Sequence, residues 1–501
     1  MRNVWTDFRV APQLGFALLA FAIFVLCSAQ SAGANPDTQH VRGFADVNVI
    51  DVQGGVVLEH MDVEVSEGVI TRVRPARRPN RAPARGWVDG RGLYLAPGLI
   101  DMHVHLDDRL HAQVAAPTLS VTDEELLSID DLSLFLAHGI TSIQVMHGAP
   151  EMLRLRDQID AGAEVGPQLI VGSPRIDGLP ASDPYVRIAA TPEVGRALVD
   201  EMRSTGYDFI KLYDGLDAPT YSAVIARAHE LGLRVDGHLA RTLPLSTSLF
   251  GGQGHVAHIE EFASFAPNLD ERDIEQLTDE VQRSGIGVTS TLVVYQHMLR
   301  FVADPVAPLS DPEIAYAAPL IFARWLPGRN GYGAERFRSP DLQARLHRRF
   351  DFMRALTLSF VRAGVPVAAG SDCNDSGAGV VPGFSFHEEL RILSDIGLTP
   401  AEVLRSATLN GAEAMGLGDV LGSVTQGKRA DLLLLRGNPL ADIRNTELVA
   451  GVMVRGRWLH SGELNAGVGR MLSRYQALED RLGAPMRRPA PALDQLLQDH
   501  R

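Results

Sequence analysis

The middle of the chain alternates short apolar runs with stretches of helical periodicity, and this alternation limits the fold more than any other feature. A strand followed by a helix and another strand is the unit of a parallel sheet covered by helices. We count eight runs, the number of strands in a (β/α)8 TIM barrel. They lie at residues 95–106, 140–146, 167–173, 208–214, 233–239, 255–261, 286–294 and 365–372.

Most of the gaps between these runs have the 3.6-residue period of an amphipathic helix. Before the eighth run, a stretch from Tyr295 to Pro340 is rich in Pro, Gly, Arg and aromatic residues. We interpret this stretch as a substrate-shaping insertion, because loops at the carboxyl face of a barrel carry substrate contacts; a disordered surface excursion is the alternative. The predicted helices include Thr122 to His138, Pro219 to Leu231 and Asp341 to Ala363.

Both ends of the chain have the sequence pattern of short strands and tight turns, in which short apolar segments alternate with Gly and Asp. The pattern covers residues 41–88 and returns after Gly422. The predicted fold class is therefore α/β, a (β/α)8 TIM barrel with a small β-sandwich formed by both chain ends. The predicted segments are a signal peptide (1–34), the N-terminal part of the β-sandwich (35–95), the TIM barrel (96–418), the C-terminal part of the β-sandwich (419–465) and a helical tail (466–501).

The charge balance argues against nucleic acid as a partner. The chain has 501 residues with 47 Lys plus Arg against 61 Asp plus Glu, a formal charge of -14. Such a surface repels polyphosphate and anionic lipid unless a basic patch overrides it. We expect a small-molecule or short-peptide substrate instead, and a homo-oligomer is possible.

The start of the chain has the pattern of an export signal. Arg2 and Arg9 supply positive charge, residues 14–26 are apolar, and residues 32–34 are small, as a cleavage site requires. We expect a mature chain that begins near Asn35, in the periplasm or secreted, without stable membrane insertion. An uncleaved anchor is the alternative, but the apolar run is shorter than the ~20 residues that span a bilayer.

The two cysteines are Cys27 and Cys373. Signal cleavage would remove Cys27 and exclude an intramolecular disulfide. Lipid attachment at Cys27 is a further option, although Leu26 stands where a lipoprotein signal has a small residue. Cys373 has no activating base in its pattern, so we expect a small buried residue.

Metal-ligand residue types fall at or near the carboxyl ends of five apolar runs, the rim where a parallel barrel assembles its active site. Two histidines separated by one residue on a strand point the same way and can bind one cation together. The whole set consists of His103, His105, Lys211, His238, His258 and Asp372.

Lys211 is unusual because an ammonium inside an apolar strand is costly unless it is paired or neutral. A salt bridge to a barrel carboxylate such as Asp372 would pair it. A neutral amine could instead take up carbon dioxide, and the resulting carbamate can bridge two cations.

Several segments together resemble the metal-dependent amidohydrolase superfamily over nearly all of the chain that follows the signal. They are GLIDMHVHL, the lone lysine in DFIKLYD, GHL, HIEE, AAGSD and the closing ATLNGAEAMGLGDVLGSVTQGKRADLLLL. Within this superfamily, these segments are similar to those of the imidazolonepropionase-like and prolidase-like branch. Members of that branch hydrolyse amide bonds of amino-acid derivatives, dipeptides or cyclic amides.

The resemblance implies a binuclear metal site. His103, His105 and Asp372 would hold the more buried metal, while His238 and His258 would hold a second metal that N6-carboxylysine at Lys211 bridges to the first. Zinc is the expected ion, and Mn²⁺, Fe²⁺ or Co²⁺ could replace it. Metal-activated hydroxide would attack the carbonyl, with Asp372 first taking and then returning the proton.

Other polar residues near strand ends are candidates for substrate contact. Tyr213 and Tyr295 could donate from a phenol, and His147 and His297 occupy plausible rim positions; packing or plain exposure is the alternative for each. The remaining candidates are Glu260 and Glu261 as acceptors that orient His258, His255 as a structural residue, Arg324 or Arg329 as partners of a substrate carboxylate, and the loop from Ala112 to Asp123 as a specificity loop.

The leading functional interpretation is an exported metal-dependent hydrolase of an amide, peptide or cyclic amide bond. The same site could attack an ester, lactone or carbamate. The third hypothesis is a barrel that has lost catalysis and serves as a binding module, although such proteins usually lack several of the metal ligands.

Overall fold

The described part of the chain, in a computed structural model, comprises residues 41–106, 131–178, 186–331, 335–374 and 379–482. All of these residues lie in one compact unit, Val41–Arg501. The predicted signal peptide, the predicted loop 112–123 and the end of the C-terminal tail lie outside the described residues. The described helices include none long and apolar enough to cross a membrane.

One sheet is built from both ends of the chain, as the sequence predicts. β5 and β16 meet at its centre as antiparallel neighbours, with Pro97 opposite Leu432 and Tyr94 opposite Leu435. The strand order is β18-β17-β16-β5-β1-β2-β3, and β4 pairs with β1. These strands are β1 (Gly43–Asp51), β2 (Val56–Ser66), β3 (Val69–Pro75), β4 (Val88–Asp89), β5 (Tyr94–Pro97), β16 (Leu432–Leu435), β17 (Val449–Val454) and β18 (Arg457–His460).

The middle of the chain forms parallel strands, in one run of three and one run of seven. The orders are β6-β7-β8 and β10-β9-β11-β12-β13-β14-β15. These strands are β6 (Leu99–Val104), β7 (Ile140–Val145), β8 (Gln168–Val171), β9 (Ile176–Asp177), β10 (Arg187–Ile188), β11 (Phe209–Leu212), β12 (Arg234–Gly237), β13 (His255–Val256), β14 (Gly287–Thr289) and β15 (Val367–Ala368).

Isolated parallel bridges connect the two runs at both ends. Gly172, just after β8, pairs with Phe209 of β11, and Val104 of β6 pairs with Cys373, beyond β15. Each strand therefore has two neighbours in a closed series, which begins and ends at β6. The order of the series is β6, β7, β8, β11, β12, β13, β14 and β15. Each of these strands lies within one of the eight predicted apolar runs.

Helices follow most of these strands, which confirms the α/β class. The predicted helices at 219–231 and 341–363 are shifted by a single residue, as Ala218–Glu230 and Pro340–Arg362. The helices are α1 (Asp131–Ala137), α2 (Pro150–Asp160), α3 (Pro192–Thr205), α4 (Ala218–Glu230), α5 (Leu245–Phe250), α6 (Glu271–Ser284), α7 (Leu292–Ala303), α8 (Pro319–Trp325), α9 (Pro340–Arg362), α10 (Phe384–Asp395), α11 (Pro400–Ser406), α12 (Leu409–Ala414) and α13 (Ser461–Leu482).

Two of the predicted apolar runs contain a break. The run at 95–106 is two strands, because β5 belongs to the sheet of both chain ends and β6 to the parallel strands. Gly98 separates them, at a point where a Cβ would come within 2.0 Å of the Thr141 hydroxyl. In the run at 286–294 the strand ends at Thr289; Thr291 has a left-handed φ of 47°, and α7 begins at the next residue.

The stretch from Tyr295 to Pro340 is largely helical where it is described. It contains most of α7, all of α8 and short 3-10 helices at 307–310, 312–316 and 335–338. Trp325 is fully buried in it and Tyr316 nearly so. A disordered excursion is therefore wrong for residues 295–331 and 335–340, while a role in shaping substrate access stays a prediction.

The C-terminal helix α13 begins at Ser461, earlier than the predicted start of the tail at 466. Leu464, Val468, Met471 and Leu472 form its buried face, at the spacing of an amphipathic helix. This face packs against α1 and against the end of the sheet at β17 and β18. The helix is therefore an integral part of the described unit.

A buried carboxylate joins α10 to the turn between β14 and α7. Glu389 accepts hydrogen bonds from the Ser290 hydroxyl at 2.5 Å and the Val293 backbone N–H at 2.7 Å. Burial raises the pKa of Glu389 to about 7, although both hydrogen bonds oppose the shift. The carboxyl therefore favours the folded state while protonated, and this contribution is lost as the pH rises through about 7.

We predict that Glu389→Gln removes this pH dependence. The wild type should lose stability relative to the variant between about pH 5 and about pH 8, because only the wild type must ionise a buried carboxyl. Urea unfolding at several pH values measures the difference. Glu275→Gln, at an exposed position on α6, is the matched control, and a difference independent of pH for Glu389→Gln would contradict the prediction.

Candidate metal centre

The parallel strands bring the predicted ligands to one end of the sheet. His103 is in β6 and His105 just after it, Lys211 is in β11, and His238 directly follows β12. His258 and Asp372 follow β13 and β15 within a few residues. The carboxyl ends of parallel strands meet at one edge, so the strand order itself gathers these side chains.

Asp372 forms the centre of the group. Its Oδ1 lies 3.1 Å from Nε2 of His103 and 3.0 Å from Nε2 of His105. These three side chains are a candidate metal group, with ligand atoms within 4.8 Å of one another. Two imidazole nitrogens and a carboxylate oxygen form a donor set that suits zinc.

The other two histidines continue from this group through ring contacts. The His103 ring centroid lies 4.2 Å from that of His258, which lies 5.1 Å from that of His238. Tyr213 stacks on His238 at 4.1 Å. A continuous row of rings therefore runs from His105 through His103, His258 and His238 to Tyr213.

Hydrogen bonds at Nδ1 orient three of the four imidazoles. Nδ1 of His103 is 3.3 Å from the Ala257 carbonyl, and Nδ1 of His258 is 2.9 Å from the Thr291 hydroxyl. Nδ1 of His238 is 2.9 Å from Oδ1 of Asp214. An Nδ1–H that donates to such an acceptor leaves the Nε2 lone pair for a metal, the usual arrangement around histidine ligands.

Burial keeps the central imidazoles neutral. It lowers the pKa values of His103 and His258 well below the ordinary value of 6.5. The charges of neighbouring histidines and of Lys211 lower both values further. Neutral imidazole is the form that binds metal, so the site is prepared for a cation over the physiological pH range.

Lys211 lies inside this group and is 2% exposed. Burial lowers its pKa to about 8, although the charges of Asp372, Glu261 and Asp236 favour the ammonium. Arg175 opposes those carboxylates and lowers the pKa further. A substantial neutral fraction of this amine is therefore present slightly above neutral pH.

Asp101 ties the two strands that carry the Asp372 group. Its Oδ1 accepts the backbone N–H groups of His103 at 3.2 Å and Ser371 at 2.9 Å. Its Oδ2 accepts the Ser371 hydroxyl at 2.6 Å. Asp101 thus sets the register between the histidine pair and Asp372.

The glutamates after His258 have a different partner from the predicted one. Oε1 of Glu261 lies 3.3 Å from Nδ1 of His238 and 2.6 Å from Arg241. The prediction that Glu260 and Glu261 orient His258 is therefore wrong, since Thr291 takes that place. The chain turns into a 3-10 helix at Ile259, and this turn carries Glu261 toward His238.

Two predicted rim residues lie on α7 instead of at a strand end. Nε2 of His297 is 2.7 Å from Glu388 on α10, and His297 is buried, not exposed. The ring of Tyr295 stacks on Phe350 of α9, and burial raises its pKa to about 12. Both side chains hold helices together in the structure.

The other candidate residues from the sequence lie where the sequence predicts. His147 is half-buried just after β7. Nε2 of His255 is 2.8 Å from the Thr289 hydroxyl, as expected of a structural histidine. Cys373 is fully buried, as expected, and burial raises the pKa of its thiol well above the ordinary value, which disfavours the reactive thiolate. Arg324 is half-buried and Arg329 exposed.

Sequence reasoning missed the residues that support the ligands. Asp101 had a usable signal, because it shares the strand parity of His103 and His105 and so faces the same side. Asp214 also had one, as an acidic residue at the end of the Lys211 run. Thr291 and the Ala257 carbonyl had none, because their approach depends on the fold.

The chain is similar to several known hydrolases. The amidohydrolase family matches residues 353–459 of the chain. The imidazolonepropionase of Brevibacillus brevis is 25% identical over 419 residues, 75% of this chain and 84% of that enzyme. A 37% identical match to the imidazolonepropionase of Desulfotalea psychrophila spans 120 residues, 22% of this chain and 27% of that enzyme.

A solved structure shares the fold over most of both chains. It is a Xaa-Pro dipeptidase with methionine bound in its active site, 18% identical, with a TM-score of 0.63 over 83% of this chain and 99% of that chain. These matches support the amidohydrolase superfamily of hydrolases, with imidazolonepropionases among the similar enzymes, and the dipeptidase structure shares the fold of this chain.

Proposed function

We propose that the chain is a metal-dependent hydrolase that cleaves an amide, peptide or cyclic amide bond. The coarser activity, hydrolysis of a carbon–nitrogen bond, follows from its superfamily. The observation that carries the metal dependence is the approach of Asp372 Oδ1 to Nε2 of His103 and His105. An isolated surface carboxylate does not have two imidazole nitrogens beside one of its oxygens, with one of the two rings buried.

His103, His105 and Asp372 fit a first metal ion, and His238, His258 and a carboxylated Lys211 fit a second. The Nδ1 hydrogen bonds of His103, His238 and His258 support this assignment, since they direct Nε2 into the site. When bound, zinc would lower the pKa of a water molecule and polarise the scissile carbonyl. The same ligands accept Mn²⁺, Fe²⁺ or Co²⁺.

Asp372 is the residue that moves the proton in this proposal. A carboxylate oxygen accepts the proton of the attacking water and later returns it to the departing nitrogen. Asp372 is 6% exposed, so little solvent competes for that proton. Asp372 has a left-handed backbone, with a φ of 53°, and its carboxylate lies beside the two histidines.

The choice of lysine at position 211 supports the carbamate. The chain has only two lysines, Lys211 and Lys428, among its 47 basic residues. A carbamate forms when the neutral amine adds to the carbon of CO2 and loses one proton, giving an N-bound carboxylate. The guanidinium of arginine stays charged and cannot replace lysine in this reaction.

The closed order of the eight parallel strands supports a (β/α)8 barrel. The one mixed sheet to which both chain ends contribute supports a shared β-domain, for which the small β-sandwich stays a proposal. We include both in the proposal. We also propose that the first 34 residues export the protein to the periplasm or beyond, on the signal pattern alone. Signal cleavage in cells, read from the N-terminal peptide of the purified protein, tests export.

We predict that Asp372→Asn lowers kcat by roughly 100-fold or more, because a general base and a metal ligand are lost together. Metal content by mass spectrometry and hydrolysis of a panel of N-acyl amino acids and dipeptides measure the effect. Asp217→Asn, at the N-cap of α4, is the control, since Asn caps a helix equally well. Full activity of Asp372→Asn would contradict the assigned role.

We predict that Lys211 carries one CO2. Native mass spectrometry of protein prepared with bicarbonate should show the added mass, and acidification should remove it. Lys211→Met should lack the adduct and bind less metal, whereas Lys428→Met, which removes the other lysine, should retain both. An adduct that survives Lys211→Met, or is absent from the wild type, would contradict the carbamate.

We predict faster hydrolysis of amides than of matched esters, relative to the uncatalysed rates, since the superfamily branch acts on carbon–nitrogen bonds. Paired N-acyl amino acid and O-acyl hydroxy acid substrates measure the preference. Turnover of the ester, lactone or carbamate alone would assign the site to that chemistry instead. Absence of metal and of any hydrolysis after zinc or manganese is added would favour a binding module.

A further inference from the structure

The segment that carries Asp372 is held in an unusual backbone conformation. Asp372 and Asn374 both have left-handed backbones, with φ of 53° and 62°. Such conformations are strained for residues other than glycine and persist where the surroundings impose them. The position of the Asp372 carboxylate therefore depends on contacts that hold this segment.

One set of these contacts lies on the β6 side. The backbone N–H of Asp372 donates to the His103 carbonyl at 2.7 Å, and the backbone N–H of His105 donates to the Cys373 carbonyl at 3.1 Å. These bonds fix the segment up to Cys373. Asn374, the second left-handed residue, needs a further support.

That support comes from a buried carboxylate at the start of α1. Nδ2 of Asn374 donates to Oδ2 of Asp131 at 2.7 Å. The other oxygen, Oδ1, accepts a hydrogen bond from the Tyr475 hydroxyl. Asp131 is 0% exposed and Asn374 1%, so this chain of hydrogen bonds is shielded from water and correspondingly strong.

Tyr475 belongs to α13, close to the end of the described chain. It lies on the buried face of the helix, which packs against α1. A hydroxyl 344 residues distant in sequence from Asp131 thus reaches the carboxylate that holds Asn374. The ring anchors the helix, while the hydroxyl is the part that acts on the Asp372 segment.

We propose that Tyr475 is a positioning residue for the metal centre, acting on Asp372 through Asp131 and Asn374. This proposal rests on the proposed function, because the position of Asp372 matters only if it binds metal and moves a proton. The C-terminal helix is then a part of the active-site support and not only a cover for the sheet.

The test compares Tyr475→Phe with Ser473→Ala. The first removes only the hydroxyl and leaves the buried ring; the second removes an exposed hydroxyl from the same helix. Tyr475→Phe should weaken zinc binding by roughly tenfold, the usual effect of removing an outer-shell partner. It should lower kcat by a similar factor while KM stays unchanged, and Ser473→Ala should match the wild type in both.

Asn374→Gly supplies the second arm, because glycine keeps the left-handed conformation accessible but deletes the amide. Asn374→Gly should show the same loss of zinc affinity in chelator competition, and the double variant should lose little more than either single one. Losses that add, or a Tyr475→Phe protein with a lower Tm but wild-type zinc affinity, would overturn the positioning role. A wild type that binds no metal would overturn the proposed function, and the positioning role with it.

Discussion

A single buried carboxylate joins the first and the last of the eight parallel strands that gather the site. Asp101 accepts hydrogen bonds from the backbone of His103 and from both the backbone and the hydroxyl of Ser371. The histidine pair and Asp372 are therefore set by one group, although 267 residues separate His105 from Asp372. A slip of one residue between these strands would turn the ligands to the other face and disperse the site.

The rest of the centre depends on the same edge of the sheet. Each ligand is positioned by its strand and then oriented by a neighbour, as His258 is by Thr291 and His238 by Asp214. Burial keeps the imidazoles of His103 and His258 neutral, so a cation does not have to displace protons from these two rings to bind. The geometry and the electrostatics of the site thus support one chemistry, hydrolysis assisted by metal.

Much of this could be predicted from the sequence, because strand periodicity is local and the carboxyl ends of parallel strands share an edge. His103, His105, Lys211, His238, His258 and Asp372 lie together for that reason. The errors have local causes too. β14 ends at Thr289, and the left-handed Thr291 begins a helix where Leu292 to Val294 would favour a strand, so Tyr295 and His297 lie on a helix. The hydrogen bond from Tyr475 to Asp131 joins residues that are 344 positions apart, and no periodic pattern in the sequence indicates such a contact.

The proposed hydrolysis depends on a metal ion between His103, His105 and Asp372. Crystals of the full chain grown with zinc, measured on both sides of the zinc absorption edge, test it most directly. An anomalous peak within bonding distance of Nε2 of both histidines and a carboxylate oxygen of Asp372 is the predicted result. Zinc found elsewhere on the protein, or no peak in crystals of a folded chain, would contradict the account.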